Sequence, residues 1–171
     1  HAVPGYYSVV LDDYKIKAEL TASQRAGYHR YTFPNSDNAH IIMDLVSSIH
    51  NYDDKVVWTY VRVENNQLVT GFRQTRGWAE TRYFYFAIRF SKPFISHGFD
   101  KADPTTYHYV KPDGYIMNVP EIAGRKIKGF FNFKTKENET IEMKVGISGV
   151  GIDGALKNLD TEIPHWDFDK V

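Results

Sequence analysis

RYFYFAIRF, residues 82–90, divides its side chains between two faces. Phe84, Phe86, Ile88 and Phe90 form a wholly apolar set, and Tyr83, Tyr85, Ala87 and Arg89 form a mixed one. A period of two belongs to an extended strand, whose successive side chains point to opposite faces. The stretch therefore predicts a strand with one face in a core. The same period recurs outward in both directions. VWTYVRV (57–63) sets Val57, Thr59, Val61 and Val63 against Trp58, Tyr60 and Arg62. KIKAELTA (15–22) sets Ile16, Ala18 and Leu20 against Lys15, Lys17 and Glu19. YYSVVL (6–11), YHRYTF (28–33), KIKGFFNFK (126–134) and ETIEMKVGIS (139–148) read as further strands, and AHIIMDLV (39–46) as a more continuously buried one.

Short polar turns separate these strands. Asp12-Asp13 follows Leu11 as a hairpin turn. Asn tolerates positive φ, so Asn65-Asn66 predicts a two-residue hairpin into a strand over 68–74. Lys136-Glu137-Asn138 predicts a second hairpin. Residues 93–125 carry Pro93, Pro104, Pro112 and Pro120 and leave room for one or two short strands among loops. Helix is scarce. Residues 153–160 form the candidate, with Asp153 as N-cap, an apolar stripe of Ala155, Leu156 and Leu159, and Pro164 as the stop. Gly149 and Gly151 predict a weak end to the strand before it. Together these features predict an all-β protein: an antiparallel two-sheet β-sandwich, spanning 1–171 as a domain or part of one, with one short helix near the C-terminus. Trp166 and Phe168 lie close to the end, where aromatics pack either back on the same domain or on something else.

Composition narrows the function. Lys plus Arg and Asp plus Glu both number 21, giving a net charge of zero. A nucleic-acid grip needs a surplus of cations to displace counterions, so none is expected. No run of about 18 apolar residues occurs to span a membrane. Cysteine is lacking, which excludes disulfides, thiolate metal sites and cysteine nucleophiles. Aromatics make up 15 % of the chain; they suit strands and can also stack on sugars.

The histidines, including His108 between Tyr107 and Tyr109, show no metal-ligand spacing. Asp12-Asp13 and Asp53-Asp54 read as turns, because neighbours on one strand face opposite ways and cannot share a site. Gly149 and Gly151 come near a phosphate-binding glycine pattern but lack its strand–turn–helix setting. TGFRQTRGW (70–78) stands out: a strand carrying Arg73 runs through Arg76 into Gly77-Trp78. An Arg and a Trp at a sheet edge suit a sugar, one bonding hydroxyls and the other stacking on its C–H face. The other reading is a Trp that caps the core.

Four stretches carry a resemblance: PGYYSVVLDDYKIKAELTASQRAGYHRYTFP (4–34), AHIIMDL (39–45), GFRQTRGWAETRYFYFAIRFSKPF (71–94) and NLDTEIPHWDFDKV (158–171). They resemble glycoside hydrolase family 92, bacterial calcium-dependent exo-α-mannosidases, mostly α-1,2 specific. The resemblance implies the later part of an N-terminal β-sandwich, with 161–171 starting a linker toward a helical catalytic domain outside this chain. It implies a mannose-containing glycan as substrate, a secreted or periplasmic location, and Ca²⁺ held by ligands outside this chain. It also implies inverting hydrolysis, in which an acid and a base stand about 6.5–9.5 Å apart; both lie in the helical domain. No catalytic residue is therefore carried onto this chain, which alone is expected to be inactive. Arg73 and Trp78 are its candidate substrate contacts. The alternative is a free-standing carbohydrate-binding sandwich.

Overall fold

The computed structural model describes residues 1–49, 52–100 and 115–171. Its strands are β1 (Ala2–Val3), β2 (Tyr6–Leu11), β3 (Ile16–Ala22), β4 (Ala26–Phe33) and β5 (Ser36–Asp44). Then come β6 (Val56–Asn65), β7 (Leu68–Thr75), β8 (Arg82–Phe90), β9 (Ser96–Phe99) and β10 (Ile116–Met117). The last are β11 (Glu121–Gly124), β12 (Lys128–Thr135) and β13 (Glu139–Ser148), followed by helix α1 (Ile152–Glu162). One sheet runs β1-β2-β3-β4-β13-β8-β7-β6-β11 and the other β10-β9-β12-β5. All pairings are antiparallel. The β-sandwich read from the alternation is the fold observed.

The expected core face of β8 holds from Phe86 onward, whereas Phe84 is 42 % exposed and Ala87, on the mixed face, is fully buried. Phe86, Ile88 and Phe90 are buried between the sheets with Val61, Val69, Ile141 and Met143. The small sheet answers with Ala39, Ile41, Met43, Phe99, Phe131 and Phe133. The Phe90 and Phe131 rings lie 5.1 Å apart at 49°, a tilted packing suited to the ring quadrupole.

Several expectations are corrected. The turn at 136–138 forms, with Asn138 at φ 58. It does not close a hairpin, because β12 pairs with β5 and β9 while β13 pairs with β4 and β8. The chain changes sheets there. β5 alternates rather than being continuously buried: Ala39, Ile41 and Met43 face the core, and Ile42 is 66 % exposed on the outer face. Between β6 and β7 the two-residue loop is Asn66–Gln67, with Asn65 paired to Leu68. Neither Asn takes a positive φ; the Asn65 side chain instead accepts the Gln67 N–H at 2.9 Å. Residues 93–125 supply β9, β10 and β11, while His108, Pro104 and Pro112 lie outside the described residues. β13 ends at Ser148, so Gly149 and Gly151 follow the strand and do not weaken it.

Helix α1 spans Ile152–Glu162, longer than the 153–160 expected, and its N-cap is Gly151 rather than Asp153. Asp153 sits in the first turn, where its charge faces the positive end of the helix dipole. Ala155 and Leu159 are fully buried. They lie on the outer face of the large sheet with Ala26, Tyr28, Ala87, Ile163 and Phe168. Glu162 ties the helix end to the β3–β4 turn, accepting from Ser23 Oγ at 2.6 Å and Arg25 Nε at 2.6 Å. The tail folds back: Phe168 and Trp166 pack on Tyr28, with ring centroids 5.3 and 6.0 Å away. Lys144 Nζ donates to the Ile163 carbonyl at 2.9 Å and lies 4.2 Å from the Trp166 ring centroid.

That tail also packs on Arg30 and Tyr6, the partners of Glu19, which alternation placed on the polar face. Glu19 is only 5 % exposed. Arg30 donates to it from Nε at 3.0 Å and Nη2 at 3.1 Å. Tyr6 donates at 2.8 Å and Lys17 lies 3.0 Å away. The Arg30 fork outweighs burial, Tyr6 and Lys17 add to it, and the carboxyl falls from 4.5 to about 2. A carboxyl lower in the folded state stabilises fully above its unfolded pKa. That contribution, about 3 kcal/mol, drains as pH falls from about 4.5 to about 2. Denaturant unfolding from pH 6 down to pH 2 should therefore lose stability more steeply in the native protein than in Glu19→Gln. Parallel pH slopes would contradict this.

Candidate functional site

The candidate site is where β7 leaves the sandwich. Arg73 shares the inner face with Val69 and Gly71 by the period of two. Its partners are set by the exit of β5. There Asp44 accepts the Val46 and Ser47 amides at 2.7 and 2.9 Å and the Ser47 hydroxyl at 2.7 Å. Burial would raise the Asp44 carboxyl, but these bonds and nearby Lys128 win and hold it at about 2. The turn so fixed aims two carbonyls at Arg73, whose Nη1 donates to Ser47 at 3.1 Å and Nη2 to Val46 at 3.2 Å. Arg73 thus joins the two sheets, and its Nε has no partner among the described residues.

Beyond Thr75 the chain turns through 76–81 into β8. Arg76 N–H donates to the Lys55 carbonyl at 3.0 Å, and Tyr52 Oη donates to the Arg76 carbonyl at 2.7 Å. Gly77 lets Tyr52 approach closely: a Cβ there would stand 2.9 Å from the Tyr52 hydroxyl and displace that side chain's end. Trp78 is fully exposed, at 106 %, so it does not cap the core. It lines a hollow of about 390 Å³ with Tyr52, Lys55, Thr75, Arg76 and Arg82.

Arg73 does not line that hollow, so the structure does not bring Arg73 and Trp78 together. The hollow instead gathers Tyr52, Lys55 and Arg82, which the sequence reading missed. The register signals them: Thr75 pairs with Val56 on one side and Arg82 on the other. Neighbouring strands thereby bring residues 52–55 and 82 to one edge.

The carboxylate pairs serve the fold. Asp12-Asp13 occupy the β2–β3 turn. Asp54 lies at φ 60 and pairs with Arg76 at 3.2 Å. Asp167 pairs with Lys170 and Asp169 with Arg30. Among the described residues no group of three or more His, Asp or Glu side chains could hold a metal ion. Among them, too, no helix is long and apolar enough to cross a membrane.

Residues 1–148 match the model of the glycosyl hydrolase family 92 N-terminal domain. An α-mannosidase of that family from Bacteroides thetaiotaomicron is similar in structure, with TM-score 0.83 and 32 % identity over 99 % of this chain and 22 % of its own. The same enzyme has also been solved with mannoimidazole bound. A second family 92 enzyme from that organism, described as an inverting mannosidase, shares the fold at TM-score 0.78 and 20 % identity, over 99 % of this chain and 21 % of its own. A fungal protein from Arthroderma benhamiae, described as an uncharacterized secreted glycosidase, is 25 % identical over 99 % of this chain and 23 % of its own. The chain thus spans less than a quarter of the length of these relatives.

Proposed function

The chain belongs to glycosyl hydrolase family 92, within its N-terminal domain, and from that premise we propose that it is the β-sandwich part of an α-mannosidase that hydrolyses terminal α-1,2-linked mannose with inversion. The observation that carries this reading is the likeness to a family 92 α-mannosidase over 99 % of the chain at 32 % identity. The sandwich forms one wall of the sugar pocket and braces a C-terminal helical catalytic domain of the same polypeptide. Trp78 offers its face to the glycan. Arg73 supports that wall by holding the turn after β5 against β7.

The acid, the base and the Ca²⁺ ligands of this reading lie in the catalytic domain. The described residues of the sandwich offer no ligand cluster for the ion. The parent enzyme acts outside the cytoplasm, either secreted or in a bacterial periplasm; the description of the fungal relative as secreted supports this. A free-standing carbohydrate-binding module is the weaker reading, because the likeness is to a segment of a much longer α-mannosidase.

The division of labour is testable by metal removal. A calcium chelator should abolish mannose release by the parent enzyme yet leave the thermal unfolding midpoint of this chain unchanged. A midpoint that rises with Ca²⁺ would place a calcium site in the sandwich and overturn that division.

A further inference from the structure

The hollow beside Trp78 has a charge that the reading of a neutral mannose does not use. Lys55, Arg76 and Arg82 all line it. Arg76 is offset by Asp54, at 3.2 Å. Lys55 donates to the Ile49 carbonyl and lies 5.4 Å from the Tyr52 ring centroid. Arg82 differs. Among the described residues it has no acidic partner, and its guanidinium stands 5.8 Å from the Phe84 ring centroid. Glu80, in the same loop, does not line the hollow.

A guanidinium fork matches an oxyanion with two parallel hydrogen bonds. An exposed indole supplies the apolar face on which a sugar ring stacks. A hollow of about 390 Å³ takes one such residue. We propose that this hollow binds a sugar carrying an oxyanion, with the ring on Trp78 and the charge on Arg82. The proposal rests on the reading that Trp78 meets glycan, and it adds the charge of the glycan recognised there.

The test uses a matched pair, methyl α-mannuronoside and methyl α-mannoside, which differ only in oxidation at C6, with inorganic phosphate as a third probe. Each is titrated into the ¹⁵N-labelled chain while the Trp78 indole N–H and the backbone amides of residues 76–82 are followed, the amides alone serving for Trp78→Ala. The mannuronoside should shift it saturably, with the neutral mannoside about tenfold weaker. Trp78→Ala and Arg82→Gln should each weaken mannuronoside binding, and the core amide resonances of β8 and β13 should stay in place, showing that both variants fold. Equal binding of the two sugars, unaffected by Arg82→Gln, would overturn the charge inference and leave Trp78 as a glycan contact. Silence with both sugars would overturn both. Phosphate binding as tightly as the mannuronoside, indifferent to Trp78→Ala, would reduce the site to an anion patch and overturn the inference.

Discussion

Gly146→Val should pry helix α1 off the large sheet and cost about 3 kcal/mol or more. Ala26, Gly146 and Ala87 stand in register across β4, β13 and β8. This row of small residues forms the bed on which the helix lies. A Cβ at residue 146 would stand 2.3 Å from the Ala155 carbonyl oxygen and 2.7 Å from Leu159 Cβ. Neither is the far end of a flexible side chain, so the helix itself must move. Ala155, Leu159 and Ile163, all fully buried, would then lose their seat. The loss would spread to the tail, since Lys144 holds the Ile163 carbonyl. Gly149→Ala is the control, because a Cβ there meets nothing within 4 Å. Urea unfolding should show a much lower midpoint for Gly146→Val, and hydrogen exchange should show α1 amides unprotected before those of β8. Unchanged protection of α1 would contradict this account of the helix seat.

How much of this was legible in the sequence depends on how local each cause is. The core face over 86–90 and the faces of 57–63 were readable because alternation is a property of one strand; Phe84 lies beyond the cover of the second sheet and is exposed. The stripe of α1 was readable for the same reason. Pairing was not, because it joins residues far apart. Nothing in Lys136–Asn138 says that the strands on either side belong to different sheets. The exposure of Ile42 likewise depends on what covers the outer face of β5. Glu19 shows the reverse: its polar face is buried by Arg30 and Tyr6, on which a tail about 150 residues downstream packs, with Phe168 only 4.2 Å from Arg30. At the candidate site the loop was found through its Trp and Gly. The partner assigned to Trp78 was Arg73, three strand positions before Arg76. Side-chain direction on β7 sends Arg73 into the sandwich, and cross-strand register brings Arg82 to Trp78 instead.

The largest effect on activity should come from separating this chain from the rest of its polypeptide. In an inverting glycosidase a general acid protonates the leaving oxygen and a general base activates water on the opposite face of the ring. Each such group contributes about 10²- to 10⁴-fold, so on the proposed division of labour this chain alone should show only the uncatalysed background. Several carboxylates of this chain are engaged in ion pairs or turns: Glu19 with Arg30, Asp44 with its turn, Asp54 with Arg76 and Arg125, Asp160 with Arg89. The most direct measurement is a proton NMR time course with α-1,2-mannobiose and Ca²⁺, run on the parent enzyme and on this chain alone. The parent should release mannose, its β-anomer first, while this chain leaves the disaccharide intact. Release of β-mannose by this chain alone would place the catalytic pair within these 171 residues and contradict the account.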